Sequence, residues 1–239
     1  MNLKNQRVVI IGGTAGIGLA VAKLAIEEGA SVLVASGTQQ RGELALKQLG
    51  TEAEGRVLSV LQEDRVDEFF QGLDEFDHLV YTAGDALAIG EPGSLSLKDA
   101  KHRFDVRYWG VYLSVKYGQR KIRKGGSIVL SSGIASQRPM KGWSMGASVT
   151  GAMESFTRAL AVDLAPIRVN LVSPGAVRTE LWDAIPEQER NVLYHQIGES
   201  LPVGRVGEPS EVAEAYVYLM KNRFSTGSIV VTDGGGVLV

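Results

Sequence analysis

Three parts of this 239-residue chain carry residue types whose spacing could do chemistry. The first is Gly12-Gly13-Thr14-Ala15-Gly16-Ile17-Gly18, placed between the apolar run Arg7 to Ile11 and an amphipathic stretch. Glycines at this spacing allow a tight turn and let a pyrophosphate approach the backbone. The free amides and partial positive charge of the following helix N-terminus then hold the phosphate charge. The second is the end of the next apolar run, Ala35-Ser36-Gly37-Thr38, with Arg41 close behind. A carboxylate there would bind a ribose 2′-hydroxyl, whereas small hydroxyls and an arginine accommodate a 2′-phosphate. The pair reads as a dinucleotide site that favours NADP over NAD; the plainer alternative for the second stretch is a polar turn. The third is a set of polar residues further along. Arg107 would anchor a carboxylate or a developing oxyanion, or else form a structural ion pair with Asp85 or Asp105. Tyr194 and His195 are candidate acids, against the simpler reading of packing and surface. Three scattered histidines, His78, His102 and His195, offer no metal-site spacing.

These residues need a scaffold, and the apolar pattern supplies one. Short β-branched runs occur at Arg7–Ile11, Ser31–Ala35, Arg56–Val60, His78–Thr82, Ser127–Leu130, Arg168–Val172 and Ser228–Val231. Amphipathic stretches alternate with them at Gly16–Glu28, Gln39–Leu49, Arg65–Leu73, Leu97–Ile122, Ser144–Asp163 and Ser210–Met220. Strict alternation predicts an α/β fold: a Rossmann-type, doubly wound parallel sheet of about seven strands with helices on both faces. No linker or repeat divides the chain, so residues 1–239 read as a single dinucleotide-binding domain. The polar segment of about 179–207 breaks the rhythm and reads as a lid.

Several function classes drop out. Net charge is −2, which argues against a nucleic-acid partner. There is no cysteine, hence no disulfide, thiolate metal site or cysteine nucleophile. No apolar run approaches the roughly 18 residues of a membrane span, and the first residues lack a signal-peptide pattern. The expectation is a cytoplasmic protein with no membrane partner and no metal. Glycine, at 29 residues, is in surplus, and much of that surplus falls in the segments expected to approach the dinucleotide.

With those motifs in place, the sequence resembles the short-chain dehydrogenase/reductase family. Gly12, Gly16 and Gly18 match its TGxxxGxG loop. Tyr81-Thr82-Ala83-Gly84 stands where that family has NNAG, and Gly126 to Ser132 looks like the strand leading to its catalytic serine. Ile167-Arg168-Val169-Asn170 with Ser173-Pro174-Gly175 is similar to its RVNxxxPG segment, and Gly204 to Pro209 and Thr232 to Gly235 match its C-terminal signatures. The resemblance covers the whole chain. It implies that Gly12, Thr14, Gly16, Ile17, Gly18, Ser36, Thr38, Val60, Ala83, Gly84, Pro174, Gly175, Val177 and Thr179 line the dinucleotide. Ser59 stands where the family often has an acidic residue near the adenine. The resemblance also implies a homodimer or homotetramer assembled through the two long helices.

The family's chemistry normally uses Asn, Ser, Tyr and Lys. Ser132 remains, and its plainer alternative is a serine closing a turn. Thirteen residues on, the tyrosine position holds Met145; the lysine position holds Val149, and the asparagine position holds Arg107. Methionine has no exchangeable proton, and valine has neither charge nor donor. A positioned acid is typically worth 10²–10⁴ in rate. Arg107 can stabilise an oxyanion but cannot give up a proton near neutral pH. The expectation is an NADP(H)-binding oxidoreductase with a rearranged site, Ser132 and Arg107 being its catalytic candidates. Its substrate would be a small carbonyl, alcohol or enone. The alternatives are a lyase, isomerase or cyclase on the same fold, or a nucleotide-binding pseudoenzyme. Trp143 and Lys141 are expected to line the pocket, and Tyr81 to pack near the cofactor.

Overall fold

The computed structural model describes residues 2–85 and 89–239. Seven strands form one parallel sheet: β1 (Arg7–Ile11), β2 (Ser31–Ser36), β3 (Ala53–Val57), β4 (Phe76–Tyr81), β5 (Ile122–Ser131), β6 (Arg168–Pro174) and β7 (Ile229–Thr232). Their order is β3-β2-β1-β4-β5-β6-β7. The helices are α1 (Gly16–Glu27), α2 (Gln39–Leu49), α3 (Glu63–Gln71), α4 (Leu97–His102), α5 (Gly110–Gly118), α6 (Ser144–Asp163), α7 (Glu187–Ser200) and α8 (Pro209–Lys221).

Period-two alternation sends β1 into two cores at once. Val8 and Ile10 join Val21 and Ala25 of α1 and Tyr216 and Leu219 of α8. Val9 and Ile11 join Phe70 of α3, Val115 of α5 and Met153 of α6 on the other face. Both faces are therefore dry, which is why the central strands are continuous apolar runs. The chain reverses direction across the sheet between β1 and β4. That switch point is where open α/β sheets bind ligands, at the carboxyl ends of the strands.

Three expected elements differ. The third strand is Ala53–Val57 rather than Arg56–Val60; β2 pairs Val32 with Ala53 and Ser36 with Val57. It is an edge strand and needs little apolar content, so the richer segment just after it misleads a pattern reading. The expected helix Leu97–Ile122 is broken into α4, a π-turn at Asp105–Trp109, α5 and a 3₁₀ turn, and Ile122 opens β5. The cause of the π-turn lies on β4: buried Tyr81 donates its hydroxyl to the Val106 carbonyl at 2.6 Å. A Cβ on Gly110 would come within 2.4 Å of that hydroxyl. Finally, the segment 179–207 contains α7 and a 3₁₀ turn, Glu180–Trp182, and is not irregular throughout. Its ends are drawn together by Gly207 N–H to the Ala176 carbonyl (2.9 Å) and Arg178 N–H to the Gly207 carbonyl (3.0 Å). α7 buries little more than Tyr194 and Gly198, which explains its weak helical signal.

Candidate functional site

The loop after β1 packs directly on the segment after β4. Gly12 has φ +88°, and a Cβ there would stand 2.4 Å from the Ala83 nitrogen. A Cβ on Gly18 would stand 2.2 Å from the Gly12 carbonyl oxygen. Only bare backbone allows this approach. Gly16 faces Thr179, whose Cγ2 would lie 3.2 Å from an added Cβ. Gly12, Gly18, Ala83, Gly16 and Thr179 thus form one cradle over the α1 N-terminus, which has no acidic residue in its first turn. Thr14 and Ile17 complete the loop. Pro174 ends β6, and Gly175 is pressed against Asp233, whose carboxylate accepts the Gly235 and Val237 amides at 2.9 and 2.8 Å. Val177 is buried at the base of the next segment.

At the carboxyl end of β2 the hydroxyls hold the turn together. Ser36 donates to the Thr38 carbonyl at 2.7 Å, and Thr38 Oγ1 accepts the Arg41 amide at 3.4 Å as the cap of α2. Arg41 is exposed and, among the described residues, has no ionic partner. The first turn of α2 carries no carboxylate. Val60, beyond β3, packs on the start of α5 against Gly110.

Arg107 sits in the π-turn and lies over Gly84, within 3.0 Å of where its Cβ would be. Its Nε donates to Asp85 Oδ1 at 3.0 Å, and its Nη2 to the Asp85 carbonyl at 2.5 Å. Asp105 instead bonds His102 at 2.5 Å. Arg107 is therefore held rigidly beside the end of β4 and stays partly open to solvent. Ser132 follows β5 and donates its hydroxyl to the Thr150 carbonyl of α6 at 3.2 Å. In this arrangement it offers a substrate lone pairs rather than a proton. Val149 is buried in the second turn of α6, and Met145 is half-buried in its first.

Among the described residues no replacement acid stands out. Burial holds the Tyr81 phenol well above its ordinary value, and its proton is committed to Val106. Tyr194, also raised by burial, lies in α7 against Trp182 and beneath Arg178, with the guanidinium 4.6 Å from the ring centre. His195 is exposed and pairs with Glu199, and Lys141 is exposed and pairs with Glu91 at 3.0 Å. His78 is buried far down β4, and His102 is on α4. Among the described residues no group of His, Asp or Glu is placed to hold a metal ion. Two features escaped the reading of the sequence. Ser131, not Ser132, joins the Tyr81 carbonyl and the Tyr216 hydroxyl, each at 2.6 Å. Glu180 brings a carboxylate oxygen within 3.2 Å of the Gly16 Cβ position, although its place directly after Thr179 was visible.

The comparisons with known proteins bear on the fold and the family. A family model described as enoyl-(acyl carrier protein) reductase matches residues 12–236. The short-chain dehydrogenase/reductase ATR9 of Stachybotrys chlorohalonatus is 36% identical, covering 99% of this chain and 98% of its own. The short-chain dehydrogenase/reductase malC of Malbranchea aurantiaca is 32% identical, covering 99% and 96%. Among solved structures, a small-chain dehydrogenase in complex with NADPH superposes with TM-score 0.87 at 36% identity, covering 99% of this chain and all of the other. The MalC reductase/Diels-Alderase of M. aurantiaca superposes with TM-score 0.90 at 30% identity, covering 99% and 97%. The chain belongs to the short-chain dehydrogenase/reductase family.

Proposed function

We propose that this protein is an NADP(H)-dependent oxidoreductase with a rearranged active site, acting on a small unsaturated substrate, with the segment of about 179–207 as its lid. The observation that carries the reading is the side-chain-free cradle at the β1–β4 switch point, beside an anchored Arg107. The residues fit the dinucleotide: Gly12 and Gly18 leave the backbone bare where phosphate must approach. Arg41 and the α2 N-terminus, with no carboxylate in its first turn, suit a 2′-phosphate. Relatedness to an NADPH-bound dehydrogenase supports the same choice.

NADPH, when bound, would supply a hydride. The chain's own residues decide what can accept it. A ketone would become a localised alkoxide, a strong base that needs a proton at once, and Met145 and Val149 provide none. An enone, attacked at its β-carbon, leaves its charge on a delocalised enolate oxygen. The Arg107 guanidinium can hold that charge by hydrogen bonding until water protonates the α-carbon. Asp85 fixes the guanidinium so that no reorganisation is needed when the charge appears.

The test measures NADP+ and NAD+ affinity by calorimetry, followed by NADPH oxidation with matched enone and ketone panels. Binding that prefers NADP+, with turnover of enones over the matching ketones, is expected. Tight binding with no turnover of any acceptor would sink the oxidoreductase reading and leave a nucleotide-binding pseudoenzyme. A second reading, ring-forming catalysis with Arg107 polarising a substrate carbonyl, draws on the missing Tyr and Lys and on the dual name of the M. aurantiaca relative. Turnover that persists without nicotinamide would favour it.

A further inference from the structure

The glycine cradle meets a carboxylate that comes from another element. Glu180 Oε2 stands 3.2 Å from the Gly16 Cβ position, at the first residue of α1. That helix end has no acceptor of its own. Its N-cap is Ala15, no side chain caps it, and its first turn has no acidic residue. Its first amides and partial positive charge therefore draw an anion. Glu180 is available to be that anion. Among the described residues it forms no ion pair, while Arg178 pairs with Glu208 at 3.2 Å and Arg190 pairs with Asp183. The backbone of Glu180 is fixed in the 3₁₀ turn Glu180–Trp182, which Trp182 Nε1 ties to the Val177 carbonyl at 3.0 Å. Its side chain is exposed. A cavity of about 800 Å³, lined in part by Gly16, Lys23, Glu180, Arg190 and Glu214, opens beside it.

We propose that Glu180 is a resident anion at the phosphate cradle, one that weakens dinucleotide binding and hastens release. This deepens the NADP(H) reading and rests on it. A bound pyrophosphate draws on the same helix end. Glu180 then loses its attraction to α1 and faces a like charge. The cavity gives its side chain space to move aside, so the carboxylate costs affinity without closing the site. The adenosine end of the dinucleotide belongs one strand over, at the carboxyl end of β2, where Ser36, Thr38 and Arg41 stand. It should sense Glu180 far less than the pyrophosphate does. Glu180 thereby sets how tightly the cofactor is held and how fast it leaves, a step that often limits turnover in enzymes with lids.

The experiment titrates full-length wild type and Glu180→Gln with NADP+ by calorimetry at low and at high salt, and follows NADP+ release by stopped flow. Glutamine keeps the shape of the side chain and removes its charge. At low salt NADP+ should bind the variant about three- to fivefold more tightly, the scale of one charge at a helix N-terminus, and should leave it more slowly. The gain should shrink at high salt, where exposed charges are screened. Adenosine 2′-phosphate, which has no pyrophosphate, should bind both proteins alike. Glu187→Gln removes a carboxylate from the same cavity but not from the cradle, and should bind NADP+ as wild type does. Equal NADP+ affinity in wild type and Glu180→Gln overturns the inference and leaves the NADP(H) reading standing. Weaker binding to Glu180→Gln also overturns it, and makes Glu180 a ligand of the dinucleotide. A gain shared by adenosine 2′-phosphate or by Glu187→Gln overturns it too, because the effect is then one of net charge. If neither wild type nor Glu180→Gln binds NADP+, the NADP(H) reading falls and the inference with it.

Discussion

A methyl group on Gly18 would sit 2.2 Å from the Gly12 carbonyl oxygen and 2.4 Å from Thr82 Oγ1, both on the phosphate-facing side of the fold. Neither neighbour can yield without moving the cradle, so Gly18→Ala should cost about 1–3 kcal/mol of stability. It should also weaken NADP+ binding more than tenfold. Gly42, inside α2 with nothing within 4 Å of its Cβ position, is the contrast. Gly42→Ala should raise stability by about 0.5–1 kcal/mol through helix propensity alone. Urea midpoints and calorimetric Kd values for both variants check the pair; equal effects would remove the steric explanation. Arg107 makes a different prediction, because its contacts are to Asp85 rather than to the glycine loop. Arg107→Ala should lower enone turnover by about 10²-fold, as loss of an oxyanion donor does, and leave NADP+ affinity within twofold. A comparable loss of NADP+ binding would make Arg107 a ligand of the dinucleotide instead. At this scale the sequence was legible where absence was the message: Met145 and Val149 carry no proton whatever surrounds them. It left Arg107 open between oxyanion donor and structural pair, because choosing Asp85 over Asp105 needs the shape of the turn between them.

That turn is an element-scale property. A pattern reading joins Leu97 to Ile122 into one helix, since apolar residues recur throughout it. The break comes from a side chain on another element: the Tyr81 hydroxyl occupies the Val106 carbonyl at 2.6 Å, and Gly110 makes room for it. No local periodicity encodes a contact between β4 and a helix 25 residues away. The sheet, by contrast, was readable almost strand by strand, because strands buried on both faces must be apolar runs. The one displaced strand, β3, is at the edge, where that requirement lapses. Tyr81→Phe removes the hydroxyl and leaves the half-buried Val106 carbonyl without that donor. The expected cost is about 1–3 kcal/mol, with amide exchange accelerating at residues 104–111 before the rest of the sheet. Uniform exchange across the sheet would mean that Tyr81 supports the core and not the π-turn. The segment 177–207 behaves as an element too. Trp182 Nε1 donates to the Val177 carbonyl at 3.0 Å, and its ring meets Tyr194 edge-on, so α7 is tethered at its base. Nothing in its polar sequence marks that tether except the isolated aromatics.

Across the whole molecule, the two ends of the sheet do different work. The carboxyl ends gather the cradle and Arg107, while a buried polar cluster lies toward the amino ends of β4, β5 and β6. There His78 contacts Ser127 Oγ at 2.8 Å and Gln6 Oε1 at 2.9 Å. Arg168 donates to the Leu219 and Met220 carbonyls at the end of α8, at 2.7 and 2.9 Å. Burial first, and the Arg168 charge second, push the His78 pKa down from 6.5 to about 4, against a smaller opposing pull from Asp77. The folded protein therefore keeps His78 neutral where the unfolded chain would protonate it. Between pH 6.5 and about 4 the unfolded state binds more protons, so stability rises with pH there and is lost as pH falls through that window. Above pH 6.5 both states are neutral and the contribution is flat. At about 1.4 kcal/mol per pKa unit, the loss amounts to roughly 3 kcal/mol at its fullest. His78→Gln keeps a side chain able to bond both Ser127 and Gln6 and removes the titration. Its urea midpoint should lie below that of wild type at pH 7.5 and converge on it as pH falls to 4.5. Two curves that stay parallel across this range would show that His78 is not the group that acid attacks. Because the cluster lies across the sheet from the cradle, NADP+ affinity measured at pH 7.5 should be the same in both proteins.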